Sequence, residues 1–281
     1  MHTQHRLSPS FTGTAILILG ALYCLLPIFW VVSASTKSAD ELFATLTLIP
    51  STHILDNLND LIAYRDGIFW RWMGNTVVYA GVGALGSTYL AALSGYVLAR
   101  FDFVGKQVVF KVLLAGVLVP GVLLAIPQYL MLAAVNLANT YAAVLLPQLI
   151  SPYAIYLARI YAAASVPSDV VEAARTEGCK ELRIFHRIGL PMMGPGIVTI
   201  FLFQFVAIWN NFMLPYIMLG NDELFPLTVG LSGLLNQGAS QPSMYSVVII
   251  GALLSVLPLI VLFFLLQRYW RVDIAAGAVK A

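Results

Sequence analysis

The sequence predicts an all-α polytopic membrane protein with six transmembrane helices, and three observations carry that expectation. About 60% of the 281 residues are hydrophobic and only 10% are charged, where a soluble domain carries roughly 25% charged residues. Six stretches, residues 14–34, 76–99, 112–135, 141–158, 194–219 and 246–266, are apolar and long enough to span a bilayer. None of them contains Asp, Glu, Lys, Arg or His, so most of the chain is suited to lipid or to other apolar helices.

Several function classes drop out on the same grounds. A net charge of +2 with no basic, aromatic-interleaved patch argues against nucleic acid as a partner. Cys24 and Cys179 make no disulfide framework, and His2, His5, His53 and His186 are too scattered for a metal site. No nucleophile, acid–base pair or other catalytic constellation stands out. The chain has no glycine-rich phosphate loop ending in Gly-Lys-Ser/Thr, so it is not an ATPase. Ion-coupled transporters place ionisable groups inside the membrane for the coupling ion. Their absence from the six stretches disfavours a secondary transporter and points to a drive applied from outside the bilayer.

Taken in order, residues 1–13 form a short arm carrying His2, His5 and Arg6, and the run 14–34 is long enough to be a retained span, not a signal peptide. Residues 35–75 hold Asp40, Glu41, Asp56, Asp60 and Asp66, as expected of an outer segment with short interfacial helices. Trp70 and Trp72 then precede the second span as interface anchors do. Gly81, Gly83 and Gly86, with Ala91 and Gly95, are small enough to let helices approach closely. Pro27, Pro120, Pro127, Pro147, Pro152, Pro215 and Pro258 lie in or beside the spans, where proline bends a helix and bent helices enclose cavities.

The polar groups within the spans are neutral. Gln128, Tyr129, Gln148, Tyr153, Tyr156, Gln204, Trp209, Asn210, Asn211 and Tyr216 supply amides, ring hydroxyls and aromatic faces. Of these, Gln128, Tyr153, Gln204, Trp209, Asn210 and Asn211 are the candidate substrate pathway for a hydroxyl-rich solute such as a sugar. For any one of these residues, interhelical hydrogen bonding or interfacial anchoring is the plainer account.

Basic residues set the orientation. Arg6, Arg100, Lys106, Lys111, Arg159, Arg175, Lys180, Arg183, Arg187, Arg268, Arg271 and Lys280 fall in the termini and the second and fourth connections, against Lys37, Arg65 and Arg71 elsewhere. The positive-inside rule makes both termini and the 159–193 loop cytoplasmic, around a five-helix core over 76–266 and a tail over 267–281. In that loop Pro167 and the Asp169/Glu172 spacing predict a helix start with a capping box. Gly178 fits a left-handed C-cap, and 180–187 reads as a second short amphipathic helix with Leu182, Ile184, Phe185 and Ile188 apolar. Pro191 closes the unit. Two helices this short need a partner groove or the membrane surface.

Glu172-Ala173-Ala174, three residues, Gly178, nine residues, Ile188, one residue, then Leu190-Pro191 resembles without a gap the cytoplasmic loop motif of the membrane subunits of bacterial binding-protein-dependent ABC importers. Ser35-Thr36-Lys37 with Glu41-Leu42-Phe43, the run Gly95 to Phe101 with Gly105-Lys106, Asn139-Thr140-Tyr141, and Trp209-Asn210-Asn211-Phe212 with Pro215 are similar to its carbohydrate branch. So is the tail, Gln267-Arg268-Tyr269 followed by Ala276 to Lys280; together these resemble the smaller membrane subunit of the maltose-type importer. The tail departs from the usual pattern at residues 271–275 and in its final Ala281.

The resemblance implies a type I ABC importer transmembrane fold in the bacterial cytoplasmic membrane. It implies a second homologous permease, two ATPase subunits that bind ATP and Mg, and an external solute-binding protein, with no cofactor in this chain. Glu172, Ala173, Ala174, Arg175, Gly178, Leu190 and Pro191 become the ATPase-coupling residues, although Glu172 also serves as a helix cap. Lys280 and its neighbours are implied to lie near the ATPase. The outer loop 221–245 resembles a segment that reaches into the binding protein, with Gln237, Gly238, Ala239, Ser240 and Gln241 near its tip; an ordinary polar connection accounts for it equally well. The cargo expected is a di- or oligosaccharide or related hydroxylated solute, with glycerophospho-compounds as the alternative.

Overall fold

Regular structure in the computed structural model is entirely helical over the residues it describes, 11–44 and 48–278. His2, His5 and Arg6 of the arm and Val279, Lys280 and Ala281 of the tail lie outside those residues. The helices are α1 (Phe11–Ala34), α2 (Ala39–Ala44), α3 (Ile54–Ala63), α4 (Ile68–Arg100), α5 (Lys106–Leu118), α6 (Gly121–Ala134), α7 (Tyr141–Gln148) and α8 (Pro152–Ser165). They continue as α9 (Ser168–Thr176), α10 (Glu181–Ile184), α11 (Leu190–Met192), α12 (Gly194–Trp209), α13 (Met213–Met218), α14 (Leu227–Gln237) and α15 (Ser243–Ala278).

Three helical runs are long and apolar enough to cross a membrane alone, Thr12–Ala34, Ile54–Arg100 and Ser243–Gln267, and three bent pairs bring the total to as many as six spans. The expected third span is α5 and α6, folded by 103°. Val119 and Pro120 take extended backbone there, since the residue before proline disfavours the helical region and Pro120 has no N–H to continue the ladder. The fourth is α7 and α8, bent by 42°. Ser151 caps α8 by accepting from the Ala154 N–H, and Pro152 occupies the first turn, where its missing donor costs nothing. The fifth stops at Trp209 and restarts at Met213.

The chain forms two compact units, one from Met1–Gly67 with Gly233–Leu254 and one from Ile68–Ser232 with Ser255–Ala281. In the first, hydrogen bonds tie the outer segment to the end of α1. Asn57 is buried and donates to the Ser35 and Lys37 carbonyls at 2.9 Å each, and the Ser33 hydroxyl donates to the Leu48 carbonyl at 2.9 Å. A capping box starts α2: the Glu41 N–H donates to Ser38 Oγ and the Ser38 N–H to Glu41 Oε2.

The second unit is built around α4 and α8. Where α4 passes α8, a Cβ on Gly95 would lie 2.5 Å from the Arg159 nitrogen, so only glycine lets these backbones meet. Gly83 and Gly86 likewise lie against Ile208 and Leu149, but Gly81 meets nothing within 4 Å, contrary to its expected packing role. Ala91, Ala92, Tyr96, Ala154, Ala158 and Ile200 form the buried interior. Arg100 closes the end of α8 by donating to the Ala162 and Ala163 carbonyls at 2.9 and 2.8 Å, a cation at a helix C-terminus.

Trp72 corrects its expected role. Helix α4 begins at Ile68 rather than 76, and Trp72 is 3% exposed within it, its indole N–H donating to the Asp222 carbonyl at 2.9 Å. Gly230 lies directly against the ring. Trp70 is half exposed and remains free to face an interface.

Candidate functional site

Irregular backbone at membrane depth is tolerated where it lines a cavity. In the second unit three helix breaks border one cavity of about 500 Å³. Val119 and Gly121 come from the α5–α6 bend, Gln148 and Ser151 from the α7–α8 break, and Asn211 and Met213 from the α12–α13 break. None of the described residues lining it is charged.

Three predicted pathway residues, Gln128, Gln204 and Asn211, line this cavity. Gln204 is 8% exposed, and its Oε1 accepts from the buried Ser87 hydroxyl at 3.2 Å. Asn211 Oδ1 accepts from the Leu214 N–H, which shapes the start of α13. The other three stand elsewhere. Trp209 is buried and stacks on Phe205 at 5.5 Å, Asn210 donates to the Val206 carbonyl at the end of α12, and the exposed Tyr153 ring faces Phe203. Gln148 lines the cavity and holds its own helix, donating from Nε2 to the Val144 carbonyl at 2.7 Å.

The 166–193 loop is a second candidate. Helix α9 ends in a Schellman motif: the Cys179 N–H donates to the Ala174 carbonyl at 3.0 Å and the Gly178 N–H to the Arg175 carbonyl at 2.9 Å. Gly178 sits at φ +78°, the left-handed region a side chain resists. At the other end the expected Asp169 capping box is absent. The helix starts two residues sooner, with Pro167 as N-cap and no side-chain cap. Val171 and Ala174 turn into the unit's own interior while Glu172 and Ala173 stay exposed, so of the two alanines expected to act together only Ala173 is presented outward.

Arg175 bridges the loop's two helices. Its guanidinium donates to Glu181 Oε1 at 2.6 Å, which raises the arginine's already high pKa, and lies 5.2 Å over the Phe101 ring. The second helix runs further than expected. Leu190 donates to the Phe185 carbonyl five residues back, so Phe185–Gly189 is a π-helical turn that leads into α11 with Leu190 and Pro191 inside it. Such widening accommodates a proline that would otherwise clash with the preceding turn. The unit therefore closes after Met192, where the chain turns 83° into α12. Ile184 and Phe185 are buried and Ile188 partly so, but Leu182 is exposed.

The expected outer loop 221–245 is largely ordered helix. In the second unit four consecutive carbonyls are taken by one face of α4: Asp222 by Trp72, Glu223 by Arg71 and Asn75, Leu224 by Tyr79, and Phe225 by Asn75. The Leu227 N–H adds a 2.8 Å bond to Thr76 Oγ1. In the first unit Gln237 ends α14 and accepts from the Tyr64 hydroxyl. Gly238 is buried against the Tyr245 ring, and Ala239, Ser240 and Gln241 are exposed in the turn before α15.

A family model described as binding-protein-dependent transport system inner membrane component matches residues 87–271, which takes in the cavity and the loop. The chain belongs to this family. The permease is 33% identical over 263 residues to the arabinooligosaccharides transport system permease protein of Halalkalibacterium halodurans, covering 92% of each chain. It is 30% identical over 282 residues to the lactose transport system permease protein of Rhizobium radiobacter, covering 100% of each. A crystal structure of a bacterial ABC transporter that imports the acidic polysaccharide alginate matches the fold with a TM-score of 0.78 at 22% identity, over 92% of this chain and 95% of that one. The permease thus has the type I importer transmembrane fold. It is a multi-pass inner-membrane transport subunit that works with a separate ATPase and a solute-binding protein.

Proposed function

We propose that the permease carries a di- or oligosaccharide inward through the cavity at its three helix breaks, driven by ATP and Mg bound on two ATPase subunits. The carrying observation is that cavity, bordered by Gln128, Gln148, Gln204 and Asn211 with no charged side chain among its described lining residues. Neutral carboxamides pair with hydroxyls as donors and acceptors alike. Similarity to relatives named for arabinooligosaccharides and lactose supports a carbohydrate cargo. A second homologous permease completes the pathway, and the basic residues of the termini and the 159–193 loop support a cytoplasmic location for both.

In this reading α9 docks on the ATPase through Glu172 and Ala173, with Gly178, Arg175, Leu190 and Pro191 holding the loop's shape. Closure of the ATPase dimer moves the loop, and the core over 76–266 moves with it. The turn at residues 237–241 meets the solute-binding protein on the opposite side.

The test is uptake into proteoliposomes holding the assembled complex with its binding protein, using arabinotriose and lactose as probes. ATP-dependent uptake that survives collapse of ion gradients is expected; uptake of neither sugar, or uptake driven by an ion gradient, overturns the proposal. Glu172→Ala should release the ATPase subunits or abolish solute-stimulated hydrolysis, and unchanged co-purification with unchanged hydrolysis removes the docking role. Deleting residues 237–241 should lower uptake while the complex stays assembled.

A further inference from the structure

We infer that a pocket between α4, α5 and α8 holds the phosphate of an anionic membrane lipid, with Arg159 and Lys106 as its cations and one exposed face of α5 as the track for the acyl chains. The inference is independent of the cargo.

The pocket, about 250 Å³, is lined by Leu98, Asp102, Lys106, Gln107, Phe110 and Arg159. It lies where α4 ends at Arg100 and the chain turns into α5, the junction between two membrane-crossing runs. Arg159 is half-buried on α8, and its guanidinium sits 4.0 Å over the Phe110 ring. Among the described residues no carboxylate or carbonyl takes its N–H groups. Phe110 stands one turn after Lys106 on the same face of α5, about 6 Å along the axis, so the two cations flank one space. Lys106 Nζ donates to Asp102 Oδ1 at 3.0 Å, which uses one of its three donors. Two cations against one carboxylate leave the pocket with a net charge of +1.

The same face of α5 continues as Leu114, Val117 and Leu118, which follow Phe110 at helical spacing and are 37, 40 and 83% exposed. A cationic pocket followed along one helix by an exposed apolar stripe fits a molecule with phosphate at one end and hydrocarbon at the other. Arginine offers phosphate oxygens a fork of paired donors, and lysine adds a point charge. Basic pockets between membrane helices suit lipid headgroups of this sign. A free phosphate makes no use of the stripe, and an acidic protein segment would not follow it into the bilayer.

The test uses the assembled importer in phosphatidylcholine nanodiscs. These contain a trace of phosphatidylglycerol with a photoactivatable diazirine in its acyl chain, or of phosphatidylcholine with the same chain. Labelling of residues 106–118 is read by peptide mass spectrometry. In the wild-type complex the anionic lipid should label this helix about fivefold more, the preference expected of one net charge. Arg159→Gln should remove the preference, and Asp102→Asn, at an exposed carboxylate, should raise it by about a further fivefold. Co-purification of the ATPase subunits reports on assembly; if Arg159→Gln does not assemble, the wild-type comparison and Asp102→Asn decide. Equal labelling by the two lipids in the wild type overturns the inference, as does an unchanged preference in assembled Arg159→Gln or in Asp102→Asn. So does labelling by neither lipid, which means that a protein subunit covers this face. Displacement of the anionic lipid by excess inorganic phosphate marks a site for a free anion and also overturns it.

Discussion

The Tyr141 hydroxyl donates to Asn75 Oδ1 at 2.6 Å, while the nitrogen of the same carboxamide donates to the Glu223 and Phe225 carbonyls at 2.8 and 3.0 Å. One buried side chain thus joins α4, the start of α7 and the segment leading to α14. Asn75→Ala removes all of these bonds and leaves their partners unpaired, which should cost about 2 kcal/mol. Thermal unfolding of the purified complex in detergent checks this, with Tyr141→Phe expected to show the smaller loss.

Gly95 and Gly81 stand on the same helix and make opposite predictions. Gly95→Ala would press a methyl group onto the Arg159 and Ala158 backbone, which has no side-chain freedom to yield. It should destabilise the permease by about 1–3 kcal/mol or prevent assembly. Gly81→Ala meets open space and should be neutral or gain up to about 1 kcal/mol from helix propensity. Yield and melting temperature of the two variants separate the cases.

Gly178→Ala keeps the loop's chemistry but places a Cβ at φ +78°. The local cost should be about 1–2 kcal/mol. Its effect should appear as weaker ATPase association while the melting temperature of the membrane core stays near wild type.

Glu41 carries a pH dependence of defined sign. The Ser51 hydroxyl first, then the Ser38 N–H, favour its ionised form and hold its pKa below the ordinary value of 4.5. Because the folded value is depressed, the stabilisation is fully present above the unfolded pKa and is lost as pH falls through the folded one. Hydrogen-exchange protection, taken relative to the intrinsic rate at each pH, should therefore fall over residues 38–44 and 48–53 below about pH 4.5. Glu41→Gln should already be less protected there at neutral pH and lose little more protection on acidification.

Much of this was legible in the residues. The apolar runs located the spans because lipid demands continuous apolar surface, and Gly178 announced a left-handed cap because little else occupies that conformation cheaply. Capping boxes were harder to read. Asp169 and Glu172 have the spacing yet form none, whereas Ser38 and Glu41 form one that was missed; the spacing is local, but its use depends on where Pro167 lets α9 begin. Trp72 read as an interface anchor because its partner, the Asp222 carbonyl, lies 150 residues away.

By itself, then, the sequence determined a chain of uncharged membrane-spanning stretches with a spaced polar loop, since composition and local backbone preference act over a few residues. Only the tertiary structure decided where the spans break and what those breaks enclose. Proline marks many possible bends, and distant partners determine which become helix ends. It also decided that Gln128, Gln148, Gln204 and Asn211 border one cavity while Trp209 and Asn210 do not, because a side chain's direction depends on the helices packed around it.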